Sequence, residues 1–111
     1  TLDKRAIRKF LDITHEQYYE HLGDDFGSEI KSIFTDEPQT THKGMLITPF
    51  DKEPVITPFT DDFDITFQQK YGYSLIERLP EVFWETKDQT GLQVRYHYHD
   101  HVLERFCRSI W

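Results

Sequence analysis

Two adjacent carboxylates, Asp36 and Glu37, followed at once by Pro38, are the residues of this chain best suited to chemistry. They close the run Ile30–Pro38, IKSIFTDEP, in which Ile30, Ile33 and Phe34 are β-branched or aromatic and suit a buried strand. Proline has no N–H to give to a ladder, so the strand must stop before it. That leaves the acid pair at the strand's carboxyl end, where barrel and open α/β enzymes keep their reactive groups. A carboxyl group fixed there and partly enclosed can have its pKa raised and serve as a general acid. The same pair also fits an ordinary solvated turn.

Other constellations carry less. His97-Tyr98-His99-Asp100-His101 resembles a metal-ligand run. On a strand its three histidines would share a face, whereas on a helix only His97 and His101 do. The helical period continues across the segment, no third ligand is apparent, and a solvated helix face explains it without metal. Thr60-Asp61-Asp62-Phe63-Asp64 gathers three acids, which suit the positive end of a helix. Calcium needs six to eight oxygen ligands, so no cofactor is expected, with calcium at Asp61–Asp64 the one alternative. Cys107 is the single cysteine, which excludes an internal disulfide and leaves the compartment undecided. Phosphate-binding loops, dinucleotide fingerprints, HExxH and zinc-finger spacings are absent.

The elements that must position the acid pair follow from periodicity. Asp3 to Leu22 reads as one amphipathic helix, capped by Thr1 or Asp3 and ended by Gly23 in a left-handed conformation. A turn at residues 24–27 leads into the strand Ile30–Phe34. Gln39 to Phe59 is a long connection in which ITPF occurs twice, at 47–50 and 56–59. Either Met45–Thr48 faces Val55–Thr57 as a hairpin, or the repetition is coincidence in a loop broken by prolines; loops this long are often functional. A helix opens at Thr60–Asp64 and runs to about Tyr71, closed by Gly72. Ser74 can cap a short helix from Leu75 to Leu79, and Pro80 marks a break. Thr90 can cap a last helix from Leu92 to about Ile110, with an apolar stripe of Leu92, Tyr96, His99, Val102 or Leu103, Phe106 and Ile110.

FTDEP, the long loop after it, and then TDDFDITFQQKYGYSLIERLPEVFW together resemble the α-L-rhamnosidase-like glycoside hydrolases over roughly Phe26 to Trp84. In the wider clan of (β/α)8 glycosidases a strand-end Asn-Glu-Pro carries the acid/base, and here Asp36 stands in place of the Asn. The resemblance implies an α/β, helix-rich segment of a (β/α)8 barrel, with one clear strand and three to four helices, spanning 1–111 as part of a catalytic domain. It implies that Glu37 protonates a glycosidic oxygen and that Asp36 orients it or binds substrate. Gln39, Thr40, His42 and Lys43, just after the acid pair, are either sugar contacts or ordinary loop surface. The second carboxylate such enzymes need would come from elsewhere.

Composition fits that expectation. With 111 residues the chain is shorter than the roughly 250 of a whole barrel, and it begins at Thr1 without an initiator Met, so a segment that is inactive by itself is expected. Aromatic residues make up 15 %, enough for a core and for sugar-stacking surfaces. The formal charge of −7 disfavours nucleic acid and is compatible with a neutral sugar. Charged residues reach 30 %, and no apolar run approaches the roughly 20 residues of a membrane span. A lone strand has two open edges, so the segment is expected to form a dimer or larger species. The alternative class is a non-catalytic helical interaction module, dimeric through its aromatic helix faces, in which DEP is only a turn.

Overall fold

The computed structural model describes residues 2–44, 46–48, 50–85 and 89–110. Five α-helices run in the order α1 (Lys4–Ile13), α2 (His15–Leu22), α3 (Phe63–Tyr71), α4 (Leu79–Phe83) and α5 (Thr90–Ile110). Single 3-10 turns, Gly23–Asp25 and Ile76–Arg78, follow α2 and precede α4. Helical residues make up 57 % of those described, and no strand or sheet occurs among them.

The core follows from α5. Its buried positions Val94, Tyr98, His101 and Val102 recur at helical spacing and face Phe63 and Phe67 of α3, Leu75, and Val82 of α4. Leu2, ahead of α1, closes the same cluster. Phe63 packs its ring against Phe59, Tyr98 and His101, while Phe67 meets Tyr71, Tyr73 and His101. The helical period expected for α5 is correct, and its phase holds only at Val102 and Phe106, which meet the core. Leu92, Tyr96 and Leu103, expected on the apolar stripe, are exposed, and the buried face lies along 94, 98, 101 and 102. Periodicity fixes which residues share a face, whereas the contacts of Phe63 and Phe67 decide which face is covered.

Local signals fare unevenly. Asp3 caps α1, its Oδ1 accepting from the N–H of Arg5 at 2.8 Å. The expected single helix over 3–22 is divided into α1 and α2 at Thr14, whose φ of −109° and ψ of −78° are distorted but still right-handed. Its hydroxyl donates back to the Phe10 carbonyl at 2.7 Å, a side-chain bond that competes with the backbone pattern. Gly23 is right-handed and opens a 3-10 turn, so the left-handed glycine of that region is Gly27. Gly72 does end α3 in the left-handed region, with φ of 83°. Pro80 lies in the first turn of α4, where a missing N–H costs nothing, rather than at a break. Thr90 begins α5 and donates its hydroxyl to Glu81.

The expected strand Ile30–Phe34 is the main correction, and with it the α/β barrel-segment architecture falls. Residue 30 takes part only in an isolated bridge with Phe26, and the backbone beyond it is irregular and exposed. Strand propensity reflects packing on a sheet face and pairing at an edge. Neither is available here: Phe34 is 87 % exposed, and among the described residues no ladder forms along 31–43. The hairpin reading of 45–57 fares no better. Met45 lies outside the described residues, and Gly44 N–H donates to the Ile56 carbonyl at 2.7 Å without flanking strands. Asp51 closes a local turn instead, accepting from the N–H groups of Ile47 and Thr48.

These features give an elongated molecule, 61 × 30 × 20 Å, with a radius of gyration of 18.9 Å. A compact chain of this length would have about 13 Å. The core occupies the α3–α5 end. Phe10, Ile13, Tyr18, Tyr19 and Leu22 of α1 and α2 are exposed, as are Ile33, Phe34, Ile47 and Phe50.

Candidate functional site

Asp36 and Glu37 lie in the exposed segment 31–39. The Asp36 side chain folds onto its neighbour, Oδ1 accepting from the Glu37 N–H at 2.8 Å. The Gln39 side-chain amide donates to Glu37 Oε2 at 3.4 Å. Pro38 confines Glu37 to extended backbone angles. Of the expected site residues, Gln39 therefore contacts the Glu37 carboxylate, while Asp36 holds the Glu37 backbone N–H. The remaining three diverge. Thr40 is half-buried and lines a cavity of about 170 Å³ with Leu2, Thr57 and Phe59. His42 is exposed. Lys43 turns to the helical core, donating from Nζ to the Val82 carbonyl at 3.2 Å and lying 5.2 Å from the centre of the Phe83 ring.

The loop after Glu37 is thus tied down at both ends. Lys43 holds its start against α4. Tyr98 holds its end, donating its hydroxyl to the Pro58 carbonyl at 2.9 Å and pairing with the Thr57 hydroxyl. Five residues separate Glu37 from Lys43, so the carboxylate stays within about 20 Å of the anchored loop.

Lys43 reaches a place with chemistry of its own. Arg95, on α5, donates from Nη1 to the carbonyls of Glu81 at 3.1 Å and Trp84 at 2.8 Å. Both cations therefore converge on the last turn of α4. Burial and the neighbouring Arg95 push the Lys43 pKa down. His99, one turn along α5 from Arg95, is likewise pushed down by the protein packed around its ring and then by Lys43. Sequence reasoning proposed Lys43 from its closeness to the acid pair and missed Arg95 and His99. Arg95 and His99 are one helical turn apart, but no spacing links them to residue 43; only the fold of α5 against α4 does.

A second polar region lies between the N-terminal segment, α3 and α5, around a cavity of about 540 Å³. Arg105 is its centre. Its guanidinium donates to both carboxylate oxygens of Asp62, to the Thr66 hydroxyl at 2.8 Å and to the Leu2 carbonyl at 3.2 Å. Lys70 pairs with Asp100 and Glu104, each at 2.6 Å, which raises the pKa of the lysine and lowers those of both acids. Tyr71 donates its hydroxyl to Asp100, and burial first, with that contact second, pushes its pKa up to about 12. These are paired structural charges.

The acid cluster before α3 is divided among separate partners. Asp61 lies 3.8 Å from Arg5, Asp62 binds Arg105, and Asp64 accepts from Ser74 and from the N–H groups of Leu75 and Ile76. The histidines diverge similarly. The His97 ring stacks on Tyr71 at 4.2 Å, and its Nδ1 bonds the Tyr73 hydroxyl. His101 is buried, 4 % exposed, with Nε2 bonded to the Thr66 hydroxyl, so it does not lie on a solvated face. Among the described residues, no group of three or more side chains is placed to hold a metal ion, and no helix is long and apolar enough to cross a membrane.

Comparison with family models, with curated proteins and with solved structures finds no match to this chain.

Proposed function

We propose that this chain supplies the general acid, or acid/base, of a glycoside hydrolase as part of its catalytic domain, and that the residue is Glu37. The observation that carries the reading is the arrangement at 36–39. One exposed carboxylate stands on backbone restrained by Pro38, with Asp36 folded onto its N–H and the Gln39 amide on its Oε2. A general acid must be fixed within hydrogen-bond reach of the oxygen it protonates while remaining open to substrate. The resemblance of FTDEP and TDDFDITFQQKYGYSLIERLP to rhamnosidase-like glycosidases supplies the substrate class, a carbohydrate. The reading does not need a sheet at this position. It needs an acid held by its neighbours and by the anchored loop that follows.

The test is a panel of glycosides assayed on the protein that carries this segment, with Glu37→Gln beside the wild type. The substitution keeps shape and removes the transferable proton. Loss of about 100- to 10,000-fold is expected with natural glycosides, whose leaving groups need protonation. The loss should be far smaller with an activated aryl glycoside when departure of the leaving group limits the rate. Near-wild-type activity on both substrates would return DEP to the status of a turn.

A second reading, a helical module that binds another protein or another copy of itself, is favoured by the exposed apolar residues of α1 and α2. Sedimentation tests self-association. A dimer that dissociates when Tyr18 and Leu22 become serine supports self-association through α1 and α2; a dimer indifferent to those changes, or a monomer, removes self-association through that face.

A further inference from the structure

This chain carries 20 acids against 13 lysines and arginines, so a cation without a carboxylate partner calls for explanation. Lys43 and Arg95 are both half-buried, and both are held by backbone carbonyls of one turn, residues 81, 82 and 84. Among the described residues neither forms an ion pair; Lys4, Lys9, Lys31 and Lys52 share that but are exposed, whereas the half-buried Arg105 is paired with Asp62. His99, exposed on α5 one turn beyond Arg95, lies within electrostatic reach of Lys43. The carbonyls engage one proton of the Lys43 ammonium and leave two, and they leave most of the Arg95 guanidinium donors. The convergence therefore has spare donors and uncompensated charge, and lacks acceptors.

We propose that Lys43, Arg95 and His99 form a binding site for a small oxyanion, carried by an acidic sugar as a carboxylate or sulfate group. The oxyanion assignment stands on these side chains alone; its attachment to a sugar rests on the glycosidase reading. An oxyanion placed here accepts from the Lys43 ammonium and the Arg95 fork, the donor types that recognise carboxylates and sulfates. It also relieves the mutual repulsion of the three groups. Because Lys43 lies on the loop that begins at Glu37, the anion would hold the substrate on the same anchored segment as the proposed acid. A neutral polyol would leave the two cations uncompensated.

The test follows the His99 imidazole resonances of the 111-residue chain during titration with sodium sulfate and with sodium glucuronate. Sodium chloride at matched ionic strength and glucose serve as comparators. The charged group that acts on His99 is Lys43 from the loop, and the Tyr98 ring lies beside its imidazole. Sulfate and glucuronate should each give a saturable shift and raise the His99 pKa. Arg95→Gln should weaken both by at least about tenfold, because it removes charge-assisted donors. Lys43→Gln should do the same, and Lys43→Arg, which keeps the charge, should restore binding. An equal response to chloride would mean screening only and overturn the proposal, as would an equal response to glucose. Sulfate binding that survives in a protein inactive on every glycoside would remove the glycosidase reading and leave the oxyanion site standing.

Discussion

Acidification should loosen α3 from α5 through His101. The Thr66 hydroxyl has one proton and gives it to the carbonyl of Asp62 or Phe63, as helical threonines do. Its two lone pairs then accept from Arg105 Nη1 and from His101 Nε2. That assigns the neutral imidazole proton to Nε2 and leaves Nδ1 as an enclosed acceptor with no partner. Protonation would put a cation at Nδ1 with no acceptor, beside Arg105 and Lys70 and between the rings of Phe63 and Phe67. Glu104 and Asp100, already paired with Lys70, oppose this only in part. Burial first and Arg105 second therefore lower the His101 pKa from its ordinary 6.5. The sign follows from proton counting. Below about pH 6.5 the unfolded chain binds a proton that the folded chain refuses, so stability is full above that pH and falls as pH drops toward the folded pKa. One proton limits the slope to about 1.4 kcal/mol per pH unit. The carboxylates with lowered values titrate from ordinary values of 3.8 to 4.5, which leaves the window between about pH 6.5 and 5 to histidine. Urea unfolding at steps through that window should show wild-type stability declining with acid. His101→Phe keeps the Arg105–Thr66 bond and removes the buried nitrogen, so its slope should be flatter by an amount that approaches that limit. His99 also titrates low, and His99→Gln subtracts its share. Equal slopes in wild type and His101→Phe, or wild type gaining stability on acidification, would refute the tautomer and the burial argument together.

Two further outcomes test the packing. Tyr98→Phe removes the donor to the buried Pro58 carbonyl and the bond to Thr57, and should cost about 1–3 kcal/mol in urea unfolding; a neutral result would mean that water replaces the hydroxyl. Phe67→Ala should cost about 3–5 kcal/mol, because the ring is fully buried, whereas Phe34→Ala should change stability by less than about 0.5 kcal/mol. Equal effects of those two substitutions would show that segment 31–43 packs in solution.

What the sequence made legible is local. Asp3 as a cap, Gly72 as a left-handed helix end and the helical period of α5 each depend on a few neighbouring residues, and each is present. The phase of α5 was not legible, because Tyr96 and Tyr98 are equally apolar by type and only the placement of α3 covers one of them. The strand at 30–34 was misread for a related reason. Ile30, Ile33 and Phe34 carry strand propensity, yet propensity becomes a strand only where another backbone supplies the partner groups. At the candidate site, Asp36, Glu37 and Gln39 were legible because they are adjacent in sequence. Arg95 and His99 were hidden because 52 and 56 positions separate them from Lys43 (95 − 43 and 99 − 43).

The two ends of the molecule differ in what holds them, and this bears on the acid. The α3–α5 end has an aromatic core and a network in which Arg105 alone joins Asp62, Thr66 and the Leu2 carbonyl. α1 is bound to that end through Leu2 and Arg105 rather than through a buried face, since neither α1 nor α2 has a buried residue. Segment 31–39 lies between these regimes: exposed along its length, yet followed within six residues by Lys43 on α4 and later by Thr57 and Pro58 on Tyr98. A carboxylate on such a segment has its distance from the core bounded by the loop anchors, while its orientation is set only by Asp36, Pro38 and Gln39. Orientation to the fraction of an ångström that proton transfer requires needs a supporting shell around those three residues. The exposed Ile33 and Phe34 are the side chains on which such a shell would pack. If Glu37 is the acid, that shell has to come from a substrate or a neighbouring segment, and Ile33 and Phe34 are the exposed apolar surface close in sequence to the carboxylate that it can cover.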